Sequence, residues 1–310
     1  VHLNKCANTC QNLRASLGHH FLLPNGMHMK PTLMAFTLAT LFSSNMVAAA
    51  TTTVPAIGGS VSNITHEQFS SVLKGDWRVA QNTARDQYRH PEQTLQFFGL
   101  RQDQTVIEIT PGNGWYSELL APLLKDNGHY IAAIVDPGVS DYARKSAAAL
   151  RQKYAADPAR YGQVQVVEYQ PNAPVFGKAG SADTVLTFRN VHNWVDAGNE
   201  IATFKAFYKV LKPGGSLGVV DHRARPGTTP QDNQKNGYLP TDYVIRLATD
   251  AGFKLAGESE INANAKDTKD YPDGVWTLPP ALVKGEQDKA KYVAIGESDR
   301  MTLRFIKPAE

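Results

Sequence analysis

Cysteine is nearly absent. The 310 residues contain two, Cys6 and Cys10, both close to the start. A chain beginning near residue 51 has no thiol, which excludes a disulfide framework and a cysteine metal site from its body. Acidic side chains are missing before Glu67, and Lys5, Arg14 and Lys30 are the only charged residues ahead of it. Removing those three from the 32 basic residues leaves 29, equal to the 29 acidic ones. The formal charge of +3 therefore belongs to the front segment, and the body carries no nucleic-acid footprint. Past residue 50 no apolar run approaches the ~20 residues that span a bilayer. Internal repeats and low-complexity tracts are also lacking.

Hydrophobic residues make up 42% and charged ones 20% of the chain, proportions of an ordinary globular protein. Residues 29–50 read as an address. Met29 and Lys30 give a short positive start, Leu33 to Phe42 an apolar block, and Ala48 to Ala50 the small residues that signal peptidase accepts. A cleaved secretory signal is expected over 29–50, with 1–28 as an upstream extension and 51–63 as a Thr/Gly/Ser-rich linker. That places the protein in the periplasm or outside the cell, without a membrane or lipid anchor. An organelle transit peptide is the competing reading, and the compact apolar block argues against it.

Thr65 followed by Gln68 marks a helix start, and a second helix is expected over 76–88, ending where His90 precedes Pro91. A third covers 93–98. Residues 64–98 thus form a helical lid before a domain over 99–310. From there strand and helix alternate. Strands are expected at 105–109, 130–135, 164–168, 184–188, 216–220, 253–258 and 300–306, and helices at 116–124, 142–154, 200–210 and 241–250. Such alternation predicts an α/β fold with a mostly parallel sheet covered on both faces.

The first strand runs into Thr110-Pro111-Gly112-Asn113-Gly114 and then a helix. Two glycines at a strand-to-helix turn let backbone approach a ligand closely, although a plain tight turn explains them as well. Asp136 ends the next strand, where an acid can hold ribose hydroxyls. A dinucleotide turn would place glycine where Ser117 stands, so the pattern favours a nucleoside without a diphosphate and disfavours a nicotinamide oxidoreductase.

On these residues the chain resembles the class I S-adenosylmethionine-dependent methyltransferases. The likeness rests on Glu108 to Gly114, on Asp136, on Asp183 to Trp194, on Leu211 to Gly215 and on the final strand pair. It is most similar to exported bacterial proteins of that superfamily whose substrates are undefined. The resemblance implies a Rossmann-like sheet whose last strand is antiparallel, with S-adenosylmethionine as cofactor and a small-molecule substrate. It also implies that Glu108, Gly112 and Gly114 line the amino-acid end of the cofactor and that Asp136 holds its ribose. Glu168, Tyr169 and Gln170 compete for the adenine contact, and Asn190 lies on the same edge. Thr110 departs from the family's glycine; its side chain either crowds the methionine end or donates a hydrogen bond to it.

His192-Asn193-Trp194-Val195-Asp196 is similar to the segment carrying the catalytic histidine of plant-type small-molecule O-methyltransferases. A hydroxyl needs to lose its proton to become a good nucleophile, and imidazole titrates in the useful range. The plainer reading is that His192 lines or closes the cofactor pocket. Asp221-His222-Arg223 with Asn190 resembles, imperfectly, the metal set of catechol-type relatives; one carboxylate and a histidine suit Mg²⁺ poorly, and no metal is expected. Arg89, Arg189 and Arg223 suit an anionic or phenolic substrate, and ion pairing explains the front-helix arginines equally. Trp194 is a pocket wall or core; Trp276, in the final hairpin, either covers a planar acceptor or packs against the front helices; and His222 ends the fifth strand on the same edge. The resulting expectation is methyl transfer to oxygen, or to nitrogen, of a small acceptor. The alternative is a non-catalytic ligand-binding protein reusing the fold, which export away from the cytosolic cofactor supply favours.

Overall fold

The computed structural model describes residues 63–309; the expected upstream extension and signal segment, both cysteines and all but the last residue of the expected linker lie outside the described residues. Among these, no helix is long and apolar enough to cross a membrane.

The chain opens with α1 (His66–Leu73), which starts as its sequence requires. Thr65 Oγ1 accepts from Gln68 N at 3.3 Å, and Gln68 Oε1 accepts from Thr65 N at 2.8 Å. The helix expected over 76–88 does not form. Two single turns replace it, α2 (Ala80–Thr83) and α3 (Asp86–Arg89). In a continuous helix Arg78 and Asp86 would stand ~12 Å apart along the axis. Here the chain folds back, and Arg78 donates to both oxygens of Asp86 at 2.6 and 2.8 Å. His90 then adopts a left-handed conformation and Pro91 opens α4 (Pro91–Phe97).

Strand and helix alternate from there: β1 (Thr105–Ile109), α5 (Ser117–Leu124), β2 (His129–Val135), α6 (Asp141–Ala156), α7 (Pro158–Tyr161), β3 (Gln165–Tyr169) and β4 (Ala182–Phe188). The second half holds α8 (Val191–Ala197), α9 (Glu200–Val210), β5 (Leu211–His222), α10 (Thr241–Asp250), β6 (Lys254–Ser259), α11 (Lys289–Ile295) and β7 (Arg300–Ile306). The sheet has the order β3-β2-β1-β4-β5-β7-β6, parallel except that β7 runs antiparallel to both β5 and β6. β5 is longer than expected because pairing with β4 begins at Leu211 and resumes, after an irregularity, at Ser216.

Two cores cover the faces. Phe98, Leu119, Leu120 and Leu150 pack on one, and Phe204, Phe207, Val244 and Phe305 on the other. Gly218 of β5 is bare for a reason: a Cβ there would stand 2.6 Å from the Phe98 ring, so the missing side chain lets the front helices lie against the sheet. Trp77 and Trp115 fasten those helices to the turn after β1, donating to Glu118 O and Asn82 O at 3.0 and 2.9 Å. Strand order reverses between β1 and β4, and the carboxyl ends of strands at such a switch point are where open α/β sheets bind ligands.

Candidate functional site

A cavity of about 320 Å³ on the outer face by α9 is largely apolar and holds none of the residues picked out from sequence. The cavity above the switch point is larger, about 710 Å³, within the range of small-molecule sites. Glu108, Thr110, Gly112, Tyr169, Asn190 and His192 line it, as do Arg89, Arg189, Trp194, His222 and Trp276. Gly114, Asp136, Glu168 and Arg223 do not.

The two turn glycines have different surroundings. A Cβ on Gly112 would meet nothing within 4 Å, so bare backbone faces the cavity. A Cβ on Gly114 would press on Ser117 and Leu150 at 3.1 Å, so that glycine serves helix packing. Thr110 sits between them and β1 with φ +50°, a left-handed conformation that is rare for a β-branched residue. Its hydroxyl shares a 2.7 Å hydrogen bond with the Tyr169 hydroxyl. Glu108 is buried and accepts from Tyr130 Oη at 2.6 Å. Burial raises its pKa to about 7, although the Tyr130 hydrogen bond and the charges of Arg89 and Lys153 pull the other way.

Asp136 ends one residue beyond the cavity wall at Val135. Its two oxygens accept from Gly138 N and Gln170 Nε2, both at 2.7 Å. Of the three competing residues at the end of β3, Tyr169 forms the wall and Gln170, just past the strand, steadies Asp136. Glu168 points away, exposed, with Arg151 Nη2 donating to it at 2.5 Å, because successive side chains of a strand face opposite ways. Arg223 is likewise turned out, bound through both Nη atoms to Glu260 at 2.7 Å and to Asp299.

His192 opens α8 beside Asp221, a fully buried residue near the end of β5. His192 Nδ1 stands 2.9 Å from Asp221 Oδ1. A carboxylate there only accepts, so the proton sits on Nδ1 and Nε2 carries the lone pair. Among the described residues Nε2 has no protein partner. Asp221 also accepts from the backbone N–H of Val191 (2.6 Å), His192 (3.3 Å) and His222 (2.7 Å). His192, Asp221 and His222 bring three ligand atoms within 4.8 Å of one another. Asp221 spends its acceptor sites on four donors, however, and the surroundings are cationic. Burial, with the neighbouring His192 imidazole and the positive charges of Arg189, Arg300 and Arg89, drives the His222 pKa well below its ordinary value. Of the two rings only His192 is bound to Asp221, and His222 Nδ1 stands 2.5 Å from Ser298 Oγ. Asn190 ties the neighbouring strands, donating to Ile109 O at 2.9 Å.

The opposite wall comes from the front helices. Arg85 and Arg89 enter with Trp115, and the Arg89 guanidinium lies 4.5 Å from that ring. Below them Glu297 accepts from Arg85 Nε at 2.5 Å and from Arg300 Nη1 at 3.1 Å. Burial raises the Glu297 pKa, but Arg300, Arg89 and Arg85 outweigh it and hold it at about 2. Glu297 and Arg300 escaped the sequence reading, and so did the orienting contact of Asp221. Arg85 and Glu297 are 212 residues apart, so no local spacing announces them.

By sequence the chain matches no known family profile and no curated protein. Solved structures do match. The [4+2]-cyclase SpnF has a TM-score of 0.54 at 14% identity, over 76% of this chain and 86% of that one. An S-adenosylmethionine-dependent methyltransferase from Aquifex aeolicus scores 0.48 at 16% identity, over 73% and 94%. One from Methanosarcina mazei scores 0.46 at 14%, over 70% and 97%. The likeness is one of fold: a seven-stranded sheet of order β3-β2-β1-β4-β5-β7-β6 with β7 antiparallel, the Rossmann-like arrangement that the sequence resemblance implied.

Proposed function

We propose that the cavity binds S-adenosylmethionine and that the protein transfers its methyl group to oxygen of a small acceptor, with His192 as general base. One observation carries this reading: a single cavity at the switch point holds both the glycine turn and a histidine whose Nδ1 is fixed by Asp221. The residues fit the cofactor. Gly112 leaves open space for a ligand to approach backbone, and each Asp136 oxygen accepts one hydrogen bond where it can accept two. Glu108, Gly112 and Thr110 would border the amino-acid end, Asp136 the ribose, and Tyr169 the adenine side.

When bound, the cofactor supplies a methyl group on a sulfonium, already activated for displacement. The protein then has to position the acceptor and remove its proton. Nε2 of His192 takes that proton, and Asp221 stabilises the resulting imidazolium through Nδ1. Trp276, edge-on at 6.2 Å from the His192 ring, borders the acceptor's space.

A second reading, a ligand-binding protein that reuses the fold in an exported compartment, is favoured by Thr110. Its hydroxyl is committed to Tyr169 where the family has glycine. SpnF, named as a [4+2]-cyclase, also supports a use of this fold other than methyl transfer.

Calorimetric titration of the full chain with S-adenosylmethionine and S-adenosylhomocysteine separates the two. Micromolar binding, weakened in Asp136→Ala, supports the first. No binding to protein that melts cooperatively supports the second. Given an acceptor, His192→Ala is expected to leave cofactor affinity intact and to lower turnover by ~10²–10⁴; unchanged turnover rules out the base.

A further inference from the structure

We propose that the arginine wall is a recognition site for an oxyanion, and that the acceptor is a planar aromatic molecule bearing a carboxylate or phosphate. The identification of this ligand as the acceptor rests on the methyl-transfer reading; the anion site does not.

Charge and unspent donors mark the site. Arg85, Arg89, Arg189 and Arg300 gather around one carboxylate, Glu297. Arg300 is committed, donating to Glu297, to Ser298 O and to Tyr88 O. Of the three arginines that line the cavity, Arg85 is bound to Glu297 through Nε alone, and among the described residues Arg89 and Arg189 make no side-chain hydrogen bond. Arg89 is only 4% exposed, and its Nε lies 3.8 Å from Glu297, beyond hydrogen-bond reach. Its Nε and Nη2 are buried without a partner, and so are Arg85 Nη2 and Arg189 Nε. Leaving buried charges uncompensated is costly. Water can satisfy such donors but brings no countercharge, whereas a carboxylate or phosphate satisfies both, bidentately.

The backbone supports the same conclusion. Arg189 is held at φ +62°, a conformation its side chain disfavours, directly after β4 at the cavity wall. Burial, the leading cause, lowers its pKa to about 10, which leaves it charged at neutral pH. The walls beside the cations are aromatic. Trp115 lies under Arg89, and Tyr116 stacks on Phe188 with centroids 3.5 Å apart. Those faces are taken by the guanidinium and by the neighbouring ring, and the remaining aromatic surface of Trp115, Tyr116 and Phe188 that lines the cavity suits a hydrocarbon body whose acidic substituent meets the charge.

The competing source of an anion is the carboxylate of the cofactor itself, so the test is run with and without it. The full chain is titrated calorimetrically with benzoate, phenyl phosphate and neutral benzyl alcohol, alone and with S-adenosylhomocysteine. Expected is binding of at least one anion, at least ~10-fold tighter than the alcohol and retained beside S-adenosylhomocysteine; which anion is tighter tells carboxylate from phosphate. Arg189→Gln, at a half-buried position that folding tolerates better than Arg89, should weaken the anion by ~10–100-fold and leave S-adenosylhomocysteine within about twofold. Arg189→Lys should recover part of the loss.

Absence of anion binding by cooperatively melting protein overturns the proposal. So does competition by S-adenosylhomocysteine together with equal weakening of both ligands in Arg189→Gln, because the cations would then serve the cofactor. Anion binding without any S-adenosylhomocysteine binding sinks the methyl-transfer reading and leaves the oxyanion site standing.

Discussion

Glu108 and Glu297 are both glutamates and both no more than 3% exposed; Glu108 lines the large cavity, and Glu297 lies behind the arginines that form its front-helix wall. Burial pushes each pKa upward. Glu108 has one strong neutral partner, the Tyr130 hydroxyl, and ends at about 7. Glu297 has three guanidiniums and ends at about 2. Burial thus pushes the same way on both sides, and the neighbouring charges decide the outcome. The glycine-turn side is built to hold a carboxyl group close to neutrality. The front-helix side is built around positive charge.

The largest expected effect breaks this contrast outright. Glu297→Gln leaves Arg85, Arg89 and Arg300 buried together without their only shared carboxylate. Loss of ~3–5 kcal/mol is expected, read as a fall in the urea midpoint at pH 7. A loss below about 1 kcal/mol would mean that solvent already compensates these cations.

The two acids also pull stability in opposite directions as pH changes. A carboxyl whose pKa rises on folding favours the folded state while protonated. Glu108 therefore helps below its unfolded value of 4.5, and that help is lost as pH rises through about 7. The swing is up to about 3 kcal/mol. Glu297, lowered from 4.5 to about 2, stabilises above 4.5 and loses that contribution as pH falls through about 2. Glu108→Gln keeps an acceptor for Tyr130 but removes the titration. Its unfolding free energy should be flatter than the parent's between pH 4.5 and 7, with the variant gaining on the parent toward pH 7. Parallel curves would show that Glu108 stays ionised in the fold.

The smallest effect sharpens the glycine-turn side. Thr110→Gly relieves a left-handed strain of ~1–2 kcal/mol, loses the Tyr169 hydrogen bond and adds unfolded-chain entropy, so a net change within about 1 kcal/mol is expected. Thr110→Val keeps the strain and loses the bond, and should cost ~1–2 kcal/mol in thermal melts. Greater damage from glycine than from valine would refute that account of the turn.

Much of the sheet was legible, since β1 and β7 begin and end where hydrophobic pattern and turn residues put them, as do α9 and α10. Local signals fix such elements. The break between α2 and α3 was not legible, because its cause is the Arg78–Asp86 contact and not a helix-breaking residue. For the site, the turn and His192 were readable from position after a strand. Glu168 was misplaced because a loose alignment leaves the alternation of an edge strand undetermined. Glu297 follows Gly296 in a loop and meets its partners only through tertiary folding. Charge clusters assembled from distant segments leave no periodicity to read.

The insertion of β7 between β5 and β6 has a consequence for biosynthesis. During translation, every other strand leaves the ribosome before it. Until β7 arrives, the edge of β5 from Ser216 to His222 stays unpaired, and Arg85 and Arg89 wait for a carboxylate on Glu297, just upstream of that strand. The nascent chain can assemble the parallel half of its sheet early, yet both its open edge and its charge imbalance persist until β7 emerges. Arrival of that one strand closes both together and covers an edge that would otherwise invite aggregation.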